Sequence, residues 1–110
     1  MNNLRNRVQL IGNLGSNPTL NETSNGVKYS KISVATNSSY INKKGEKIKE
    51  TQWHPVMIWG KQAEFVEKYI VKGQEVCIEG KLNYRSYEDS EGNSKDICEI
   101  IASEILLLKK

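Results

Sequence analysis

The sequence predicts an all-β fold, a five-stranded Greek-key barrel with one short α-helix between its third and fourth strands. Three observations carry this reading. Apolar and polar residues alternate over five separate stretches, as half-buried strands require. Turn-forming Asn, Gly, Ser and Pro residues punctuate those stretches, and only Lys61–Gly73 places apolar residues at helical spacing. The 110 residues, 37% hydrophobic and 26% charged, suit a single domain spanning 1–110 with one modest core.

The first strand runs from Arg5 to Leu14, with Val8, Leu10 and Gly12 on one face and Arg7, Gln9, Ile11 and Asn13 on the other. Gly12 and Gly15 lack Cβ atoms and let the chain bend at a barrel corner. Asn17-Pro18 breaks the run. After the Thr23-Ser-Asn-Gly26 turn, Val27–Asn37 forms the second strand, with Ile32 and Val34 inward and Tyr29, Lys31 and Ser33 outward. From Asn37 to Glu50 the chain is polar and basic, a long hairpin with Gly45 near its tip.

The third strand is Thr51-Gln-Trp-His-Pro-Val-Met-Ile-Trp-Gly60, in which Trp53, Pro55, Met57 and Trp59 project one way and His54, Val56 and Ile58 the other. The helix then offers Phe65, Val66, Tyr69 and Ile70 as packing residues, with Lys72-Gly73 as its C-terminal cap. Gln74–Tyr87 forms the fourth strand, with Val76, Ile78, Leu82 and Tyr84 inward and Glu79, Lys81, Asn83, Arg85 and Tyr87 outward. A second polar tip, Glu88–Lys95, leads into the last strand, Ile97–Leu108.

Several function classes lack the residues they need. One histidine and two cysteines cannot assemble a metal cluster of usual spacing. Strand pairing would set Cys98 near Tyr84 and Cys77 near Ile105, so a disulfide is not expected. No metal or cofactor is expected, nor an enzyme, because no catalytic constellation or phosphate-cradling glycine loop is present. No apolar run approaches a membrane span, and Met1-Asn-Asn-Leu-Arg lacks a signal-peptide core, so the expected location is the cytoplasm.

The net charge of +3 is too small to speak for a large polyanion, so its distribution matters. Lys43, Lys44, Lys47 and Lys49 concentrate positive charge on the first hairpin, with Tyr40 at its base. Flat rings beside lysines suit stacked bases and their phosphates. Two readings of Trp53 and Trp59 stand: an exposed stacking face, or the larger half of a two-sided core.

A family resemblance adds to this. Val8-Gln-Leu-Ile-Gly-Asn-Leu-Gly15 with Asn17-Pro18, Ile32-Ser-Val-Ala-Thr36, Thr51–Lys61, Tyr69-Ile-Val-Lys-Gly73 and Val76-Cys-Ile-Glu-Gly-Lys-Leu82 resemble, in order, the bacterial single-stranded DNA-binding (SSB) family. The resemblance implies an oligonucleotide-binding (OB) fold and sequence-tolerant binding of single-stranded DNA during replication, recombination and repair. It implies stacking by Tyr40, Trp53, Trp59 and Tyr87. Phosphates would meet Arg5, Arg7, Lys31, Lys43, Lys44, Lys47, Lys49, Lys61, Lys81 and Arg85 on the basic face and arms. It also implies a homotetramer or dimer of dimers, a nucleoid-associated location, and a structural His54.

Departures from the family pattern temper these expectations. Leu106-Leu-Leu-Lys-Lys110 is basic where the family continues into a linker and acidic tail, so tail-mediated partners are not expected. Tyr replaces Trp at two stacking positions, and Pro55 stands where a basic residue is common. The same fold would also serve a protein-interaction or primosome accessory module, or an RNA-binding relative.

Overall fold

The computed structural model describes residues 4–109. Met1, Asn2, Asn3 and Lys110 fall outside the described residues, and so do the expectations that rest on them, the absent signal core and the basic last residue. The elements are β1 (Val8–Leu14), β2 (Asn21–Glu22), β3 (Lys28–Ile41), β4 (Lys47–Trp59), α1 (Lys61–Tyr69), β5 (Glu75–Glu88) and β6 (Ser94–Lys109). The sheet order is β1-β5-β6-β4-β3-β2, and β1 also pairs with β3 through Asn13–Ala35 and Leu14–Val34. That last pairing closes five strands into the expected barrel. The two-residue β2, which the sequence pattern does not reveal, only extends the edge of β3.

Alternation puts Leu14, Ile32, Val34, Val56, Ile58, Val76, Ile78 and Ile100 inside the barrel, and Ala63, Val66 and Ile70 of the helix segment pack against them. β4 carries a proline without breaking. Its ladder with β3 runs unbroken through Ser33–Pro55, while its parallel contact with β6 is made at Val56–Ile100 and Met57–Ile101. A residue lacking an N–H is tolerated where one side of the strand is unpaired.

Four expectations are corrected. Phe65 and Tyr69 are exposed instead of packed in the core. The buried stripe is Ala63-Val66-Ile70, and the two rings contact each other on the helix exterior with centroids 5.1 Å apart. The helix also ends earlier: Ile70 is already extended, its N–H donating to the Val66 carbonyl. Gly73 donates instead to Leu14 O at 2.9 Å, tying the chain back to β1.

Leu82 and Tyr84 are exposed rather than inward, Tyr84 at 71%. Their alternation is intact, but β5 loses its β1 neighbour after Gly80 and runs on paired with β6 alone, toward the tip of a two-stranded arm. A bulge between Glu79 and Gly80 advances the register, so Cys77 faces Leu106 rather than Ile105 while Cys98 faces Tyr84. Both cysteines are free thiols.

Barrel closure depends on backbone proximity at Gly12. A Cβ placed there would run into the Ala35 carbonyl, part of the closing strand. Gly12→Ala is therefore expected to lower stability by about 1–3 kcal/mol through overpacking, read as a lower midpoint in urea or thermal unfolding.

Candidate nucleic-acid interface

The cross-strand register defines one outer face. Lys31 pairs with Met57, Met57 with Ile101, and Ile101 with Lys81, a row that crosses β3, β4, β6 and β5. Side chains two residues apart share a face, so Trp53 and Trp59 belong to it, as do Arg85 and Tyr87 of β5. Met57 is buried although it lies on this outer face, because it sits where β4 has neighbours on both sides.

Trp53 is 59% exposed and Trp59 40% exposed. The reading of the two indoles as half of a core is thereby excluded. Each also has a neighbour that steadies it. Tyr29, opposite Trp59 in the ladder, contacts it with ring centroids 5.2 Å apart and planes tilted by 38°. Trp53 reaches across β3 to lie over Gly15, where any Cβ would meet the indole. A ring supported beneath and open above can receive another flat group.

The same face extends along the first arm. Its tip is tightly built: the Asn42 side-chain oxygen accepts the N–H groups of Lys44 and Glu46, both at 2.9 Å, and Gly45 takes φ 81°. Lys43 and Lys44 stand at that tip. Behind it a groove of about 430 Å³ is lined by Lys47, Lys49, Asn37, Ser39 and Thr51, cationic and hydroxyl groups suited to an anion.

The structure divides the remaining candidates. Tyr40 is exposed but pairs with Ile48, on the opposite face of the arm from Lys47, Lys49 and the indoles. Lys61 opens α1, two residues after Trp59. Arg5 precedes β1. Arg7 is held in an ion pair with Glu79, and Arg85 Nε donates to Glu99 Oε1 at 2.5 Å. His54 Nε2 and Thr36 Oγ1 lie 2.9 Å apart across β3 and β4, a cross-strand link on the core side of the sheet.

Three contributors escaped the sequence reading. Tyr29 supports Trp59; Gly15 makes room for Trp53; and Lys95 lies opposite Tyr87 on β6. The Lys95 position follows from the second hairpin once its turn is placed. The other two depend on contacts between strands.

Tyr84 lies on the other face of the β5–β6 arm. The pKa of its phenol is held above its ordinary value by a hydrogen bond with Cys98, then by electrostatic interaction with the same side chain and by desolvation. Among the described residues no group of three or more His, Cys, Asp and Glu side chains is placed to hold a metal ion, and no helix is long and apolar enough to cross a membrane.

Gly15→Ala tests the packing of the first indole. The far end of a side chain yields more readily than backbone, so the variant should fold while Trp53 shifts. The expected readout is altered tryptophan emission with a melting midpoint close to wild type.

Residues 5–108 match the single-strand binding protein family. Single-stranded DNA-binding protein 1 of Xylella fastidiosa is 39% identical over 106 residues, 96% of this chain and 78% of that protein. Its namesake in Chlorobaculum tepidum is 36% identical over 104 residues, 94% of this chain and 64% of that one. The chain thus spans between roughly three-fifths and four-fifths of these relatives' lengths.

Among solved structures, the Plasmodium falciparum SSB in complex with ssDNA superposes with a TM-score of 0.88 at 28% identity, covering 99% of this chain and all of that one. A deletion mutant of the single-stranded DNA binding protein from Thermus aquaticus gives 0.83 at 29% identity, covering 94% and 50%. A five-stranded OB barrel, a match along nearly its whole length and the motifs in order lead to one conclusion: the chain belongs to the single-strand binding protein family.

Proposed function

We propose that this chain binds single-stranded DNA without sequence preference and protects it during replication, recombination and repair. The observation that carries the reading is the pair of exposed indoles on a face shared with Lys31, Lys47, Lys49 and Lys81. Bases in a duplex hide their flat faces in the stack, whereas unpaired bases offer them. Stacking on Trp53, Trp59 and Tyr87 then holds bases of any identity, since each has a π-face. Tyr40 contributes from the other side of the arm, which requires the strand to pass around the hairpin.

The lysines supply the second half of the mechanism. Lys31, Lys43, Lys44, Lys47, Lys49, Lys61 and Lys81 neutralise phosphates and release counterions, each contact steepening the fall of affinity with salt. Arg5 adds to the same field. The polypeptide performs no reaction in this scheme; it acts by occupying the strand.

The reading includes a homotetramer, or a dimer of dimers, in the cytoplasm beside the nucleoid. Its support is a second row on the outer side of β5, nearer the start of that strand than Lys81, Arg85 and Tyr87. There the ladder aligns Ile11, Cys77 and Leu106, and both Ile11 and Leu106 are exposed. An apolar row of this kind is a cost to a monomer and a gain to an assembly that covers it.

Two measurements test the proposal. Adding oligothymidylate should quench tryptophan emission, and Trp53→Ala or Trp59→Ala should each weaken binding by about 1–3 kcal/mol without unfolding the domain. Absence of quenching in the wild type would refute stacking. Leu106→Asp should lower the assembly mass measured by light scattering; an unchanged mass would place the subunit contact elsewhere.

A further inference from the structure

Glu99 is an anomaly on the face just described. It shares the outer parity of β6 with Ile97 and Ile101, yet it is only 6% exposed, one of two buried polar residues in the described chain. An acid at that depth in a surface built to meet phosphates works against the surface unless its charge is answered. The answer is Arg85, diagonally across the β5–β6 ladder, whose Nε–H donates to Glu99 Oε1 at 2.5 Å. The Arg85 side chain remains 42% exposed, so a guanidinium is visible at the surface while its charge is spent beneath it.

An approaching phosphate cannot recruit that charge cheaply. Drawing Arg85 away would leave a buried carboxylate unpaired, which is strongly destabilising. Leaving Arg85 in place presents the phosphate with a cation and an anion together, and their fields nearly cancel beyond a few ångströms. Among the described residues, Lys31, Lys47, Lys49 and Lys81 form no ion pair, so their charges are not offset in this way.

We infer that Glu99 is the internal counter-ion of the nucleic-acid face: it withdraws Arg85 from the phosphate-contacting set and holds affinity below what the visible cations would give. The inference rests on the single-strand reading above. It revises the role that sequence position alone suggests for Arg85. It also makes Glu99 a positioning residue that acts on the ligand through electrostatics, without touching it.

The test is salt dependence, measured by anisotropy of a labelled oligothymidylate with wild-type protein and two variants. In Glu99→Gln the arginine charge is no longer offset. One additional cation steepens the slope of log affinity against log salt by about 0.7 for a single strand, so the variant should gain about fivefold over wild type for each tenfold lowering of salt. A merely structural glutamate would leave the slope unchanged or shallower, and that result overturns the inference.

The double variant Arg85→Gln/Glu99→Gln removes both charges and leaves nothing uncompensated, so it is expected to fold even where the single variant does not. It should lose the gain and return to the wild-type slope. A slope shallower than wild type by about 0.7 would show that Arg85 is itself a phosphate contact, and would equally overturn the inference. Failure of the wild-type protein to bind at all would instead refute the single-strand reading, and this inference with it.

Discussion

The register of β3 against β4 is the constraint on which the other features depend. Its pairs run without interruption from Tyr29–Trp59 to Ile41–Lys47. A slip of one residue would send Val56 and Ile58 to solvent and both indoles into the barrel. Because the ladder contains no bulge, one rule of alternation holds from the core to the tip of the arm. The same strand therefore supplies the barrel with Val56 and Ile58 and the surface with Trp53 and Trp59.

Close backbone approach secures the face that this register creates. Gly12 allows β1 to meet β3 at the Ala35 carbonyl and so completes the barrel. Gly15, three residues on, leaves the space into which Trp53 lies. The two glycines thus serve different ends: one admits a strand, the other a ring. Both are better explained by what occupies the missing Cβ position than by a need to bend.

Electrostatics on this fold are more selective than a map of lysines and arginines suggests. Among the described residues, Lys47 and Lys49 of the β3–β4 arm and Lys31 and Lys81 at the two ends of the Lys31–Met57–Ile101–Lys81 row form no ion pair, whereas Arg7 and Arg85 are engaged by Glu79 and Glu99. Arginine's fork suits carboxylates as well as phosphates, so an arginine folded beside a glutamate is readily taken up by it. The small net charge is thus divided into a cationic arm and an inner region where opposite charges answer each other.

Five barrel strands, the existence of the helix and the parity of nearly every side chain were legible in the order of residues, because alternation and turn chemistry are local; the two-residue β2 and the end of the helix at Tyr69 were not. Placing Trp53 and Trp59 together on one side required nothing beyond counting. Whether that side was core or solvent was decided only by the tertiary structure, as it also was for Phe65, Tyr69, Leu82 and Tyr84. A face is buried only if another element lies over it, and the pairing of β1 with β5 stops at Gly80, before Leu82, while the helix packs through Ala63, Val66 and Ile70. The ion pairs of Arg7 and Arg85 and the support of Trp53 by Gly15 were likewise beyond local reading. Their partners are brought close by strand pairing, and pairing between distant segments is what the folded chain adds.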